Sequence, residues 1–322
     1  MAYIDVFNGD ADGICALTQL RLADPQSSRL VTGVKRNIAL VGQAEIEAGD
    51  NVTILDISLD KNRDALQQAL DTGAQCIYFD HHFAGDIPEH KNLQVFINTA
   101  AETCTSMLVN KYLNNQFTGW AVVGAFGDNL NKPATALAES IDLNEAQIKS
   151  LQQLGIYINY NGYGAAIEDL HFPPAELFKL VSPFATPLAF MQDDKTTFNR
   201  LEQGYKNDMA NAQSVKPVQD LPHAAVYRLP NQSWSRRVSG VFGNELANQS
   251  PEKAHAVISD TDAGPVMISV RAPLNNRVGA DEICRQFPSG GGRKAAAGVN
   301  SLPETEIDRF IETFSRYYAD LK

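Results

Sequence analysis

The chain has few cysteines, and their spacing gives them no structural role. Its 322 residues include only Cys15, Cys76, Cys104 and Cys284, and no two of them form a CxxC pair. A disulfide-stabilised fold or a structural zinc site needs paired or closely spaced cysteines, so the sequence argues against both. Unpaired cysteines suit a reducing compartment, and we therefore expect a cytoplasmic protein.

Long apolar runs are also absent. Hydrophobic residues make up 44% of the chain, which is enough for the cores of two ordinary domains. No stretch approaches the roughly 20 apolar residues that a membrane-spanning helix requires. The opening segment MAYIDVFNGDADG has no basic stretch followed by a long apolar one. We therefore expect neither a membrane partner nor a secretory signal.

Positive charge is scarce in the first two thirds of the chain. The whole sequence has 27 Lys and Arg against 38 Asp and Glu, a net charge of −11. Residues 220–322 hold 12 of each kind, so residues 1–219 carry the entire excess. Such a region would repel a long duplex nucleic acid, although its carboxylates suit divalent cations. The simpler explanation of an acidic excess is that the net charge keeps the protein soluble.

Residues 1–100 alternate short apolar runs with helical patterns. Five strands are predicted by YIDVF, RLVTGV, NVTILDI, CIYF and LQVFI. Two helices are predicted by GICALTQLRLAD and KNRDALQQALDTG, the second ending at a C-cap glycine, Gly73. Strands that alternate with helices predict a parallel sheet covered on both faces. Residues 101–190 have a mainly helical pattern.

The character of the chain changes near residue 220. The polar segment 191–219 predicts an exposed helix or linker. Strand-like HAAVYRL, KAHAVIS and PVMISVRA follow, then a short helix in GADEICRQF, a glycine-rich loop in SGGGRKAAAG and a terminal helix. We therefore predict an α/β protein with a parallel-sheet domain at 1–190, a helical linker at 191–219 and a smaller α/β domain at 220–322.

Acidic side chains follow several of the apolar runs in the first half of the chain. They are Asp10 and Asp12 in NGDADG, Asp56 in ILDIS, Asp80 in YFDHH with His81 and His82, and Asp128 in GAFGDN. Each aspartate alone is an ordinary loop residue. Together they are expected to converge, because ligands bind at the carboxyl edge of an open α/β sheet.

Converging carboxylates resist joint ionisation unless cations compensate them. Oxygen-rich sites with one or two imidazoles suit Mn²⁺, Mg²⁺ or Fe²⁺. Two such ions about 3.5–4 Å apart would activate water and stabilise a phosphoryl displacement.

The four motifs, in this order, resemble those of the DHH phosphoesterase superfamily. The C-terminal ISVRA…GADEICRQFPSGGGRKAAAG resembles the substrate-binding domain associated with it, which typically carries GGGHxxAAG. The superfamily includes RecJ-like exonucleases, oligoribonucleotide hydrolases and phosphatases of adenosine bisphosphate. The resemblance covers nearly the whole chain and implies a DHH catalytic domain followed by a substrate-binding domain.

The resemblance also implies roles for single residues. Asp10 and Asp56 would bind a first metal ion. A second ion would be held by Asp12, Asp56, His81 and Asp128, with Asp56 bridging the two ions. His82 would face the scissile phosphate, and Asp80 would orient a neighbouring histidine. Mn²⁺ is the expected metal, at two ions per site, with Mg²⁺ as the alternative.

This sequence departs from the superfamily pattern at two positions. Many members have a metal-binding histidine four residues before the first motif aspartate, where this chain has Val6. Asn8 offers only an amide oxygen nearby. The second departure is Arg293, which stands where histidine is usual. Arginine donates a planar fork that matches a phosphate or the O6 and N7 atoms of guanine.

The substrate is expected to be a short nucleotide chain held by the second domain. The residues proposed to bind it are Arg271, Gly290, Gly291, Gly292 and Arg293. We expect a phosphodiesterase of short linear 5′-phosphorylated oligoribonucleotides, with pGpG cut to GMP as the favoured reaction. A broad nanoRNA hydrolase, a nucleoside bisphosphate phosphatase and a non-enzymatic nucleotide-binding regulator stay open as alternatives, and so does a homodimer.

Overall fold

The computed structural model describes residues 1–262 and 264–321. Ala263 and Lys322, which belong to the predicted C-terminal domain, lie outside the described residues. The chain divides into two compact units, residues 1–203 and residues 204–322. Over the described part of the chain, no helix combines the length and apolarity needed to cross a membrane.

The first unit is built on a parallel five-stranded sheet in the order β2-β1-β3-β4-β5. The strands are β1 Tyr3–Phe7, β2 Ser28–Thr32, β3 Asn51–Leu55, β4 Gln75–Asp80 and β5 Leu93–Ile97. Each predicted strand is therefore confirmed. The strand order reverses next to β1, so the loops after β1 and β3 open on the switch point at which α/β sheets bind ligands.

Helices flank this sheet and fill the rest of the first unit. The first two are α1 Ala11–Ala23 and α2 Leu59–Thr72. Gly73 caps α2 with φ 102°, as predicted, because glycine adopts this left-handed conformation without a steric cost. The later helices are α3 Thr105–Tyr112, α4 Thr118–Gly127, α5 Asn131–Glu139, α6 Glu145–Gly162, α7 Pro174–Val181 and α8 Pro187–Asp193.

Helix α4 is buried along almost its full length, because its sequence TGWAVVGAFG has no polar face. It packs closely against α6 at Gly155, where a Cβ atom would lie 2.4 Å from the carbonyl oxygen of Val123. A glycine is therefore required at this crossing. Asp128 follows α4 directly, so the last acidic motif reaches the sheet edge from a helix end and not from a strand.

A long polar helix, α9 Lys195–Gln213, contains the point at which the chain divides into two units. Most of the segment predicted as an exposed helix or linker therefore forms one regular helix. The exact domain limits at residues 190 and 220 stay a prediction.

The second unit contains a six-stranded mixed sheet in the order β10-β11-β9-β8-β7-β6. Its strands are β6 Gln219–Asp220, β7 Ala224–Leu229, β8 Ala254–Ser259, β9 Val266–Arg271, β10 Gly290–Arg293 and β11 Ala296–Leu302. Its helices are α10 Ser233–Gln249, α11 Ala280–Cys284 and α12 Ile307–Asp320. Only β7 and β8 are parallel, and α10, which the sequence pattern did not predict, connects them. The predicted α/β class is confirmed for both units.

The glycine-rich segment is a β-hairpin, so the prediction of a loop was wrong. Gly290 pairs with Val299 and Arg293 with Ala296, which leaves a two-residue turn between the strands. The hairpin forms because β11 pairs with β9 and provides a template for β10. Glycine is required at 290, where a Cβ would lie 1.8 Å from the carbonyl oxygen of Cys284, and at 292, where φ is 136°.

Candidate metal centre

The loop after β1 places two carboxylates at the start of α1. Asp10 is the N-cap of this helix, and its carboxylate accepts a hydrogen bond of 3.1 Å from the backbone N–H of Gly13. Residue 13 must be glycine, because a Cβ there would lie 2.2 Å from the carbonyl oxygen of Asn8. Asp12 lies in the first turn of the same helix, where the helix dipole favours a negative charge.

His81 lies at the centre of the acidic residues. Its Nε2 atom is 3.4 Å from Asp56, 3.7 Å from Asp128 and 3.9 Å from Asp12, measured to the nearest carboxylate oxygen. Its Nδ1 atom is 3.0 Å from the carbonyl oxygen of Thr103. A carbonyl only accepts, so Nδ1 carries the proton and donates. In the neutral ring, Nε2 therefore presents a lone pair to the three carboxylates.

The carboxylate of Asp12 is held by the first turn of α3. One oxygen accepts a hydrogen bond of 2.7 Å from the backbone N–H of Thr105, and the other accepts one of 2.8 Å from that of Ser106. The hydroxyl of Thr105 also donates to Asp56 over 3.0 Å. These contacts hold both carboxylates in fixed positions beside His81.

Asp56 has a left-handed backbone conformation. Its φ is 59°, a left-handed value that aspartate tolerates better than most residues, and its N–H donates to the carbonyl of Phe79 over 3.0 Å. Burial raises the pKa of Asp56 well above its usual value, and the neighbouring carboxylates, chiefly Asp12 and Asp10, raise it further. A cation is needed here for the carboxylates to be ionised together.

Asp80 and His82 form a hydrogen-bonded pair next to this cluster. The Nδ1 atom of His82 is 2.7 Å from one oxygen of Asp80, which is fully buried. Within the described residues the other oxygen of Asp80 has no hydrogen-bond partner. Burial lowers the pKa of His82, but the hydrogen bond and charge of Asp80 outweigh it, so the pKa lies above its usual value. The His82 side chain is 44% exposed and is accessible to a ligand.

Sequence reasoning missed Lys35, which follows β2. Its ammonium group contacts the carboxylate of Asp10, lies 2.8 Å from the side-chain oxygen of Asn159 and 4.0 Å from Asp128. Burial acts against the charge of both partners, yet their attraction prevails, so the pKa of Asp10 is lowered and that of Lys35 is raised. The available signal was a basic pair, Lys35 and Arg36, shortly after a strand in an acidic region.

The donor set fits a divalent cation. Carboxylate oxygens and an imidazole nitrogen are suitable ligands for Mn²⁺. Ligand atoms of Asp56, His81 and His82 all lie within 4.8 Å of one another. The pKa of Asp128 is raised, because burial outweighs the favourable charges of Lys35 and His81. The structure thus brings all seven predicted metal and catalytic residues to one edge of the sheet, whereas their individual roles stay predictions.

The predicted substrate-binding residues of the second unit differ in accessibility. The guanidinium of Arg271 donates to the side chain of Asn244 over 2.6 Å and to the carbonyl of Gly240 over 3.1 Å, so this side chain is bound to α10. Arg293 lies on β10 and is exposed, and its side chain has no hydrogen-bond or ion-pair partner among the described residues. Gly290, Gly291 and Gly292 form the same strand.

Comparisons with known proteins agree with this architecture. Residues 222–320 match the family model of the DHHA1 domain. The comparison with curated protein sequences gives no significant match. The exonuclease RecJ bound to manganese is 17% identical, with a TM-score of 0.67, and the match covers 99% of this chain and 90% of that chain.

Two further solved structures share the fold. RecJ from Thermus thermophilus, in complex with Mn²⁺, is 17% identical with a TM-score of 0.66, and the match covers 99% of this chain and 52% of that one. The pGpG-specific phosphodiesterase PggH from Vibrio cholerae is 12% identical with a TM-score of 0.57, and the match covers 99% of both chains. The chain therefore contains a DHHA1 domain at residues 222–320 and shares the fold of the exonuclease RecJ along nearly its whole length.

Proposed function

We propose that the chain is a divalent-metal-dependent phosphodiesterase of short 5′-phosphorylated oligoribonucleotides, with pGpG as the favoured substrate. The observation that carries the proposal is the group of three carboxylates within 3.9 Å of the His81 Nε2 atom. Water would attack the phosphorus that joins the two nucleosides, and the bond from phosphorus to the 3′ oxygen would break. The products of pGpG are then two molecules of GMP.

The cation would be held by Asp12, Asp56, His81 and Asp128. When bound, it supplies positive charge to a phosphoryl oxygen and increases the acidity of the attacking water. We propose Mn²⁺, because a mixed set of imidazole and carboxylate ligands suits it better than it suits Mg²⁺, which prefers oxygen alone. The RecJ structures that share this fold contain manganese, which supports this choice.

His82 would act on the leaving oxygen. Its Nδ1–H is engaged by Asp80 at 2.7 Å, so its Nε2 atom is the one that can face a phosphate. In the protonated ring, Nε2–H donates to the 3′ oxygen as the bond to phosphorus breaks, and Asp80 keeps the ring oriented and stabilises its charge. Phosphoryl transfer needs mainly positioning and charge stabilisation, and this pair provides both.

Three observations favour a short guanine-containing substrate. The acidic excess of residues 1–219 disfavours a long polyanion. The exposed guanidinium of Arg293 can donate two hydrogen bonds to guanine or to a terminal phosphate. PggH, described as a pGpG-specific phosphodiesterase, has the same fold.

Product analysis tests the proposal. The purified chain is incubated with Mn²⁺ and with pGpG, pApA, GpG or a nucleoside 3′,5′-bisphosphate, and the products are separated by chromatography. We expect GMP from pGpG. Asp56→Asn should reduce kcat by roughly 10³-fold or more, which corresponds to about 4 kcal/mol of transition-state stabilisation. Asp64→Asn, an exposed aspartate on α2, is the matched control and should be fully active.

Each of the other possible assay results would support one of the alternative functions. Equal rates on all dinucleotides would indicate a broad nanoRNA hydrolase, and orthophosphate released from the bisphosphate would indicate a phosphatase. Nucleotide binding without turnover would indicate a regulator. Near wild-type activity of Asp56→Asn would contradict the proposed centre.

A further inference from the structure

The carboxylates of the centre separate into two groups by the cation that each contacts. Asp12, Asp56 and Asp128 lie within 4 Å of the His81 Nε2 atom. Asp10 instead has the ammonium group of Lys35 as its cationic partner. Asp128 connects the two groups, because one of its oxygens faces His81 and the other lies 4.0 Å from the Lys35 Nζ atom.

Lys35 is held in this position from several sides. Its backbone N–H donates to the carbonyl of Gly162 over 2.8 Å, and its ammonium donates to Asn159 over the same distance. The ring of Tyr163 lies 5.5 Å from Nζ, within the range of a cation–π contact. The end of α6 therefore supports the lysine, which does not depend on Asp10 alone for its place.

Among the described residues no histidine nitrogen forms an ion pair with Asp10, whereas the His81 Nε2 atom faces the other three carboxylates. Val6, where many superfamily members have histidine, is fully buried in the apolar core beneath the sheet, together with Ile4 and Ile54. A divalent ion beside Asp10 would have to displace the ammonium of Lys35, or remain close to it against strong repulsion at low dielectric. The Asp56 carboxyl, which is hydrogen-bonded to Asp10, and the buried Asn8 side-chain oxygen, which has no partner among the described residues, are the other groups available as ligands, so the Lys35 ammonium is what excludes a second ion.

We propose that the Lys35 ammonium group is a permanent cation of this centre, and that the chain binds one divalent ion, at Asp12, Asp56, His81 and Asp128, and not two. Lys35 then neutralises Asp10 and one side of Asp128. This inference deepens the proposed function, since it specifies the ion content of the same centre. It predicts a difference from the two-ion arrangement that the superfamily resemblance implies.

Metal counting tests the inference without substrate. The full chain is stripped with a chelator, reloaded with excess Mn²⁺, freed of unbound ion by gel filtration and analysed by mass spectrometry of the metal and by electron paramagnetic resonance. We expect one manganese per chain and the spectrum of an isolated ion. Lys35→Met should bind two ions and give the spectrum of a coupled pair.

Lys253→Met is the matched control, because it removes another lysine–aspartate pair, to Asp220 at 2.7 Å in the second unit. It should bind one manganese. Two ions in the wild-type chain, or one ion in a folded Lys35→Met variant, would overturn the inference. The wild-type count decides the matter alone if the variant does not fold. A chain that binds one ion but cuts no nucleotide would refute the proposed function and leave this inference intact.

Discussion

At the scale of single residues, the centre shows how buried charge is compensated. Asp10 and Asp12 benefit from the start of α1, whereas Asp128 follows the end of α4, where the helix dipole disfavours a negative charge. Burial raises the pKa of Asp128 against the favourable charges of Lys35 and His81, and a bound ion would stabilise its charge further. Its position is unfavourable for stability and is explained by the cation that it faces.

Arg293 gives a test of base recognition. If its guanidinium pairs with guanine, Arg293→Ala should cost about 1–3 kcal/mol, or roughly 5- to 150-fold in kcat/KM, on pGpG and much less on pApA. If it pairs with the terminal phosphate, the loss should be equal for both bases and absent on unphosphorylated GpG. Arg316→Ala, on an exposed face of α12, is the control. Unchanged kinetics on all three substrates would contradict a role in binding.

His255 should make the second unit sensitive to acid. Burial, reinforced by the charge of Lys253, lowers the pKa of this β8 residue to about 4. The unfolded chain, with an ordinary histidine pKa of about 6.5, then binds the proton more tightly than the folded chain. The contribution of neutral His255 to the free energy of unfolding should be fully present above about pH 6.5. It should decrease by at most about 3 kcal/mol as the pH drops to about 4.

Denaturant unfolding of the wild type and of His255→Leu, measured from pH 7 to pH 4, isolates this contribution. The variant has no group to protonate at this position, so its stability should fall less steeply. Parallel curves for the two proteins would show that His255 is not responsible.

At the scale of elements, two glycines in helices of similar length have opposite expected roles. A Cβ at Gly155 of α6 would lie 2.4 Å from the Val123 carbonyl oxygen, but at Gly243 of α10 the nearest atom is 3.5 Å away. Gly155→Ala should therefore destabilise the protein by about 1–3 kcal/mol through overpacking. Gly243→Ala should stabilise it by roughly 0.5–1 kcal/mol, because alanine is the better helix former.

Both substitutions are compared by chemical denaturation. The two variants share the same chemical change, so their difference reports the packing of α6 on α4. A neutral Gly155→Ala would mean that the two helices can separate without cost.

At the scale of the whole molecule, the two units have separate apolar cores. One core contains residues of the parallel sheet and α2, and the other contains residues of the mixed sheet with α11 and α12. The residues expected to bind the metal ion all belong to the first unit. A ligand stabilises the structure that binds it, by about 2.7 kcal/mol at 100 times its dissociation constant.

Mn²⁺ should therefore slow hydrogen exchange in the first unit. We expect added protection in residues 8–14, 54–58 and 103–107, which surround the centre, and none in β8 or β9. Hydrogen-exchange mass spectrometry with and without Mn²⁺ measures this, and Asp56→Asn should abolish the effect. Equal protection of β8 and β9 would show that Mn²⁺ also stabilises the second unit. This result would contradict a binding site confined to the first unit.

The sequence by itself determined the features that depend on neighbouring residues. Apolar runs predicted all five strands of the first sheet, including the edge strands β2 and β5, which are only partly buried, because short apolar runs that alternate with helical patterns are typical of a parallel sheet. The order of the acidic motifs predicted their convergence, because parallel strands present their carboxyl ends at one edge. Gly73 was predicted to be a helix C-cap because it follows a segment with the apolar periodicity of a helix.

Other features were decided by contacts between distant parts of the chain. The glycine-rich segment looked like a loop, and only pairing with β9 through β11 makes it a hairpin. Lys35 was overlooked because its partners Asp10 and Asn159 are 25 and 124 residues away along the chain. Local patterns determine which backbone conformations are favourable, whereas the pairing of buried charges depends on distances that exist only after the chain has folded.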